Sequence, residues 1–585
     1  MARAAVCRCG RRGRVPRPPP DTFESKATPG EKTVPRSARH YSLALALLPM
    51  LGACEAPAPR ITAAQPAPAL FESFGTLHRD TGSAIPAAQR YFDQGLRMAY
   101  GFNHEAAGRS FAEAARRDPD CAMCVWGQAL VLGPNINLPM DAAVARDATA
   151  WAKRAQALSA HARPVDRALI AALQLRYTDP APADRKPLDH AYANAMAGVA
   201  RDYPADDDVA TLYAEALMDL SPWAYWTPDG KPTEFTPKIL ATLERVLQRN
   251  PQHIGAMHYY IHATEASPTP QRAEPYADRL AALAPGSGHL VHMAAHTYIR
   301  IGRYHDATLT NLAAGTADKA FMAVCHGSNG FYPLGYVPHN WHFATMTAGL
   351  TGSRTLALEA AAQTAQRADR TQLESLNFMQ QFLVAPLMTQ VRFAQWDAIL
   401  AQAQAPAQLP YPSGIWHFAR GMAQVRTGNF GQAQRELDAL RANAKDPALA
   451  KVVFFDINRA DRLLDVAIAL LRGELLRSSG RQADGIAALR DAVAAEDALN
   501  YAEPPDWLLP VRPYLGAALL DAGQAKEAVV VYRQDLAKYP DNGWSLYGLA
   551  QAQRQLGDDA AASDSERRFA SAWQWADVKL DASRL

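Results

Sequence analysis

The chain has 585 residues, of which 20% are charged and 49% hydrophobic, with a formal net charge of +2. That balance is ordinary for a globular protein and supplies no field to hold nucleic acid, so no nucleic-acid partner is expected. The length allows a large core or several domains, and abundant alanine with few β-branched runs favours helix.

Residues 1–33 stand apart, with Arg11, Arg12, Arg14, Arg17 and the run Pro18-Pro19-Pro20 but no apolar period. They read as a disordered leader or an over-called gene start. Residues 34–53 read as a signal peptide. Arg36 and Arg39 form its basic end, and the apolar stretch over 41–51 is far short of the roughly 20 residues that span a bilayer. Leu51-Gly52-Ala53-Cys54 resembles a bacterial lipobox. The resemblance implies a lipid on Cys54, an exported protein and contact with a membrane through that anchor. Glu55, where retention signals carry Asp, implies the outer membrane, facing the periplasm. Residues 54–70 are rich in Ala and Pro and read as a tether. Cys121-x2-Cys124 suits a local disulfide or two buried thiols.

From residue 71 the chain repeats. Gly95, Ala107, Phe111 and Pro119 recur with the same spacing as Gly516, Ala528, Tyr532 and Pro540. Ala273, Ala277 and Pro285 give a weaker match, and Pro204, Pro251, Gly421, Ala433 and the turn Thr427-Gly428-Asn429 mark further helix pairs. This is the pattern of a helix-turn-helix repeat of about 34 residues, the tetratricopeptide (TPR). Small residues let the two helices approach, the aromatic fills the gap, and Pro ends the second helix. The expectation is an all-α, right-handed superhelical solenoid over 71–505, with inserted loops, and a C-terminal pair over 506–585 capping it. Residues 133–137, 221–232 and 318–337 break the period and read as irregular binding loops. No strand alternation, P-loop or dinucleotide fingerprint appears.

The runs Cys121-Ala122-Met123-Cys124-Val125-Trp126-Gly127, Leu132-Gly133-Pro134-Asn135-Ile136-Asn137, His258-Tyr259-Tyr260-Ile261-His262, His339-Asn340-Trp341-His342 and Asn542-Gly543-Trp544-Ser545-Leu546-Tyr547-Gly548-Leu549 resemble a family of bacterial tetratricopeptide lipoproteins and secreted proteins with little or no assigned function. The resemblance covers about residue 71 to the end. It implies the fold and supplies no substrate.

Seven histidines form three clusters: His258-x3-His262-x2-Glu265, His289-x2-His292-x3-His296 and His339-x2-His342-x3-Met346. Such spacings put side chains on one helix face. The first two clusters are 34 residues apart and the third lies 50 further on, one repeat plus an insertion. Gly302 and Gly352 follow the second and third as turn glycines. Counted along the first helix of each repeat, these positions face the concave groove between 258 and 346. They predict columns His258–His292–His342, Glu215–His262–His296–Met346 and His289–His339.

Helices about 8–10 Å apart would let neighbouring imidazoles share an ion. Imidazole with carboxylate suits zinc, copper, iron or nickel, so the groove is expected to bind a divalent transition metal (zinc, copper or iron), with more than one ion allowed by the number of ligands. Glu215, Asp219, Met346 and loop residue His326 are candidates for supporting positions, Met346 more as packing than as a copper ligand. Trp223, Tyr225 and Trp226 suit either a lid or a filler between repeats. His104 and His417 read as structural, and Trp544 and Trp573 as packing of the final pair. No HExxH signature is present, which leaves turnover open. Three functions fit: a metalloenzyme, a metal-handling lipoprotein, or a scaffold holding a peptide or protein partner in a histidine-lined groove without metal.

Overall fold

A computed structural model describes residues 67–325, 330–373, 375–404 and 408–585. The stretches expected to be a leader and a signal peptide, Cys54, nearly all of the expected tether and His326 lie outside the described residues.

The two strongest repeat signatures act as close helix contacts. Helix Pro86–Tyr100 turns at Asn103, whose side chain caps helix His104–Arg117 by accepting from the Ala106 N–H. Gly95 and Gly127 both press on the fully buried Phe111 ring, and a Cβ on either would come within 2.7 and 2.4 Å of it. Tyr532 is gripped in the same way between Gly516 and Gly548, where a Cβ would sit at 2.3 and 2.2 Å. Ala107 and Ala528 are buried beside these rings. Paired helices of this kind run from Pro86 to Ala572, an α-solenoid of tetratricopeptide type. The strands among the described residues are a two-residue hairpin, Val453–Phe454 against Asn458–Arg459. None of the described helices is long and apolar enough to cross a membrane. Cys121 and Cys124 are joined as a disulfide.

The segment from 506 onward does more than cap an end. All described residues belong to one compact unit, and the C-terminal pairs fold back onto the turns behind the histidine repeats. The Trp544 indole N–H donates to the Gly349 carbonyl at 2.9 Å. Asp577 accepts from the Arg354 and Thr355 amides at 2.6 and 3.0 Å. Gly352 (φ +71) leaves no room for a Cβ beside the Trp573 ring. The superhelix therefore closes on itself.

The described parts of the segment 318–337 are more regular than the sequence suggests. Helix Tyr304–Val324 carries Asp318 as a buried residue, and a π-helical turn, Tyr332–Tyr336, leads straight into helix Val337–Leu350.

Three helices carry the histidines. The first, Ile254–Glu265, is buried at every position, as expected for a helix surrounded by protein on all sides. The second is broken at Met293 into Gly288–His292 and Ala294–Arg300. The third is Val337–Leu350. Their shared face lies inside the molecule and does not line an open concave groove. Phe102 covers it from the N-terminal repeat, and loops from four parts of the chain wall it in.

Candidate metal centre

Of the seven clustered histidines, all but His339 are nearly inaccessible, and His339 is half-buried. All of them except His342 join with Glu265 in three overlapping groups in which one ligand atom per residue lies within 4.8 Å of the others: His258/His262/His289, His262/Glu265/His296 and His292/His296/His339. His262 and His296 each belong to two groups, so the groups form a chain across the three helices.

The ring pairings differ from the predicted columns. His262 faces His296, as expected, with ring centroids 5.3 Å apart. His258 meets His289 rather than His292, at 4.9 Å, and His292 meets His339 rather than His342, at 4.8 Å. Both displacements are one helical turn in the same direction, because neighbouring helices are offset along their axes. The interruption at Met293 lets His296 keep its predicted neighbour while His289 and His292 slide.

Backbone and amide contacts decide which nitrogen two of the rings offer. His258 Nδ1 donates to the Tyr100 carbonyl at 2.6 Å, so its Nε2 carries a lone pair. His292 Nδ1 donates to Asn311 Oδ1 at 2.7 Å, and the Asn311 amide is fixed by donating from Nδ2 to the Ala307 carbonyl. The His292 Nε2 is thus also a free acceptor. It lies 2.9 Å from His296 Nε2, and His258 Nε2 lies 3.1 Å from His289 Nε2. Two nitrogens bound to one ion at about 2.0–2.1 Å stand about 2.9–3.4 Å apart for octahedral to tetrahedral angles, so both pairs have the spacing of ligands to a shared cation. Between His292 and His296 the alternative is a proton on His296.

Carboxylates gather at one end. His296 Nδ1 lies 2.7 Å from Glu265 Oε2 and 3.0 Å from Glu503 Oε2. Burial alone would lower the His296 pKa, but these two carboxylates outweigh it and hold the pKa up at about 10. Burial pushes Glu503 up to about 7 against the hydrogen bond from His296, with the charge of Glu265 adding to the rise. The remaining rings move the other way. Burial, with the neighbouring imidazoles, holds His258, His262, His289, His292 and His339 well below the usual histidine range, and burial alone takes His342 down to about 3. Neutral imidazole is the form that binds metal.

Several buried polar atoms have no hydrogen-bond partner among the described residues: both nitrogens of His262, His289 Nδ1 and both oxygens of Glu265. Although Glu265 Oε2 is close to His296, it lies off the direction of the N–H bond. Each such atom costs about 1–3 kcal/mol if left unsatisfied.

The face opens onto a cavity of about 430 Å³ lined by His262, His289, His296, His339 and His342, with Trp223, Tyr336, Phe455 and Glu503 among its walls. Non-glycine residues with left-handed backbone concentrate around it: Phe102 (φ 55), Trp223 (φ 63), Phe455 (φ 46) and Asp456 (φ 60). Strain of this kind persists where the surrounding structure fixes a side chain in place.

Other expected residues fall elsewhere. Glu215 and Asp219 pair with the buried Arg176 at 3.3 and 2.5 Å and belong to none of the three groups, although Asp219 also lines the cavity. Met346 is buried in the apolar core. His342 sits against the Phe382 ring, outside the three groups. Trp223 is a cavity wall, edge-on to His262 at 5.3 Å. Tyr225 is buried, and the Trp226 indole N–H donates to the Ala263 carbonyl, so both act as filler. Glu503, Asn311 and the Tyr100 carbonyl were not anticipated. Glu503 is 207 residues from its partner, and its sequence neighbourhood carries no ligand spacing that would have marked it.

No family model and no curated protein matches the chain. Among solved structures, it is similar to the Cut9–Hcn1 heterotetramer of APC/C, with 12% identity over 83% of this chain and 75% of that one and a TM-score of 0.29. It is also similar to the human IFIT1 dimer with PPP-AAAA (13% identity, 83% and 91% covered, TM-score 0.30) and to yeast Tom70 (10%, 83% and 90%, TM-score 0.27). At these scores none of them bears on the site, and the repeat architecture stands on the helix contacts described above.

Proposed function

We propose that the protein holds one or more divalent transition-metal ions (zinc, copper or iron) on its buried histidine face, as a resident cofactor for chemistry on a small molecule in the adjoining cavity. The reading is carried by the convergence of buried ligand atoms without partners on His262, His289 and Glu265. The oriented lone pairs of His258 and His292 support it, since metal-binding imidazoles characteristically donate their other nitrogen to a carbonyl or amide. A shell this buried and this oriented suits a resident ion better than exchangeable cargo. When bound, such an ion would polarise a substrate oxygen or lower the pKa of a water.

Export and lipid anchoring at Cys54 remain part of the proposal, on the strength of the lipobox-like run. The Cys121–Cys124 disulfide is compatible with an oxidising compartment. The helical-repeat architecture also suits a protein-interaction scaffold, whose partner would then dock outside the walled cavity.

The test is metal content by mass spectrometry of untagged protein, beside His262→Ala/His296→Ala and His342→Ala variants. Stoichiometric metal is expected in the parent and in His342→Ala, and none in the double variant. A parent that takes up no zinc, copper or iron even after loading would overturn the reading and leave the scaffold.

A further inference from the structure

The walls of the cavity repeat one arrangement three times. Trp223 lies edge-on to His262 at 5.3 Å between ring centroids, Tyr336 is tilted against His289 at 4.6 Å, and Phe455 is edge-on to His339 at 6.1 Å. These three aromatics line the cavity together with the histidines. Trp223 and Phe455 are held at φ 63 and 46, a backbone region that bulky residues avoid. The rings are therefore placed by the surrounding fold. The Tyr336 hydroxyl is buried and has no hydrogen-bond partner of good geometry among the described residues. The Asn137 side chain lies close to it without completing a well-aligned hydrogen bond, so the hydroxyl can turn to a ligand. A volume of about 430 Å³ is at the small end of organic ligand sites, which run from about 300 to 1,000 Å³.

We infer that the cavity takes a small aromatic compound bearing an oxygen donor, its ring among Trp223, Tyr336 and Phe455, and its oxygen turned to the histidine face, where the Tyr336 hydroxyl donates to it. This rests on the metal reading above. The ring contacts supply selectivity, because aromatic pairs add to simple area burial. The oxygen supplies the link to the ion.

Three probes separate the contributions: 4-nitrocatechol has ring and donor, 4-nitrotoluene has the ring without a chelating donor, and acetohydroxamate has the donor without the ring. Binding to metal-loaded protein is measured by calorimetry for each, beside metal analysis of the same sample. 4-Nitrocatechol is expected to bind at least about tenfold tighter than either of the others. Trp223→Ala and Phe455→Leu are each expected to weaken it by about tenfold and to leave acetohydroxamate unchanged. Tyr336→Phe keeps the ring and removes only the donor, so it tests the hydrogen bond in a chain whose packing is preserved. Stoichiometric metal with acetohydroxamate binding as tightly as 4-nitrocatechol, and indifference to the aromatic variants, would overturn this inference and leave the metal reading standing. A protein that takes no metal would overturn both.

Discussion

Asn311 shows how one residue outside the histidine clusters can set the chemistry within them. It sits on the helix following the second cluster, accepts from His292 Nδ1 at 2.7 Å, and is itself locked by the Ala307 carbonyl. Asn311→Leu should free the His292 ring and weaken metal affinity by about 10–100-fold, while Asn311→Asp, which keeps the acceptor, should retain most of it. Competition against a coloured chelator measures both. Equal affinity in the leucine variant would remove His292 from the ligand set. Glu503 plays a comparable part at His296, where two carboxylates converge on one ring nitrogen. His262 is the opposite case: no described side chain orients it by a hydrogen bond, although it belongs to two of the three groups.

Among the elements, the spacing between helices is what brings the three clusters into reach. Gly255 lies in the first turn of the first histidine helix, and a Cβ there would come within 2.4 Å of the Tyr100 ring. The Tyr100 carbonyl is also the acceptor for His258. Gly255→Ala should therefore cost about 1–3 kcal/mol by overpacking and, by displacing that carbonyl, lower metal affinity too. Gly516→Ala, where a Cβ would sit 2.3 Å from Tyr532, should cost a similar amount with metal affinity unchanged. Gly198, within helix Lys186–Asp202, has nothing within 4 Å of a built Cβ. Gly198→Ala should stabilise by roughly 0.5–1 kcal/mol through helix propensity. Chemical denaturation of the three variants beside the parent gives the signs. A destabilising Gly198→Ala would show that open space around a glycine is a poor guide in this array.

At the level of the whole molecule, a buried charge cluster ties the C-terminal residues to helix pairs far back along the chain. Glu474 is fully buried and meets Arg426 at 2.7 Å, Arg477 at 3.2 Å and Arg584 at 3.8 Å. Burial pushes its carboxyl up, but the guanidinium groups, Arg584 first, outweigh it and hold it down at about 2, against an ordinary 4.5. A carboxyl depressed in the folded state contributes stability above its unfolded pKa and loses it as pH falls through the folded one. The window here runs from about 4.5 down to about 2, and the contribution is about 3 kcal/mol. Glu474→Gln should be less stable than the parent at pH 7 and show a flatter loss of stability over that window. Urea midpoints at pH 7, 4 and 3 test this, and parallel curves for the two proteins would rule the linkage out.

The order of residues alone was enough to place the helical repeats and the three histidine clusters. Both are local: Gly95 with Phe111 and Gly516 with Tyr532 are spaced by one helix pair, and His258/His262 or His292/His296 by one turn, so periodicity alone puts them in register. It also identified His262 and His296 as neighbours, where helix packing preserved the repeat offset. Helix packing alone paired His258 with His289 and His292 with His339, because axial sliding of one helix against the next leaves no trace in spacing. The assembled fold turned an expected open groove into a buried face. That depends on Phe102, Trp223 and Phe455 arriving from distant loops with left-handed backbone. Glu503 joined His296 across 207 residues for the same reason. Contacts made when a superhelix closes are set by the summed geometry of every pair in between, and no single stretch of sequence encodes that sum.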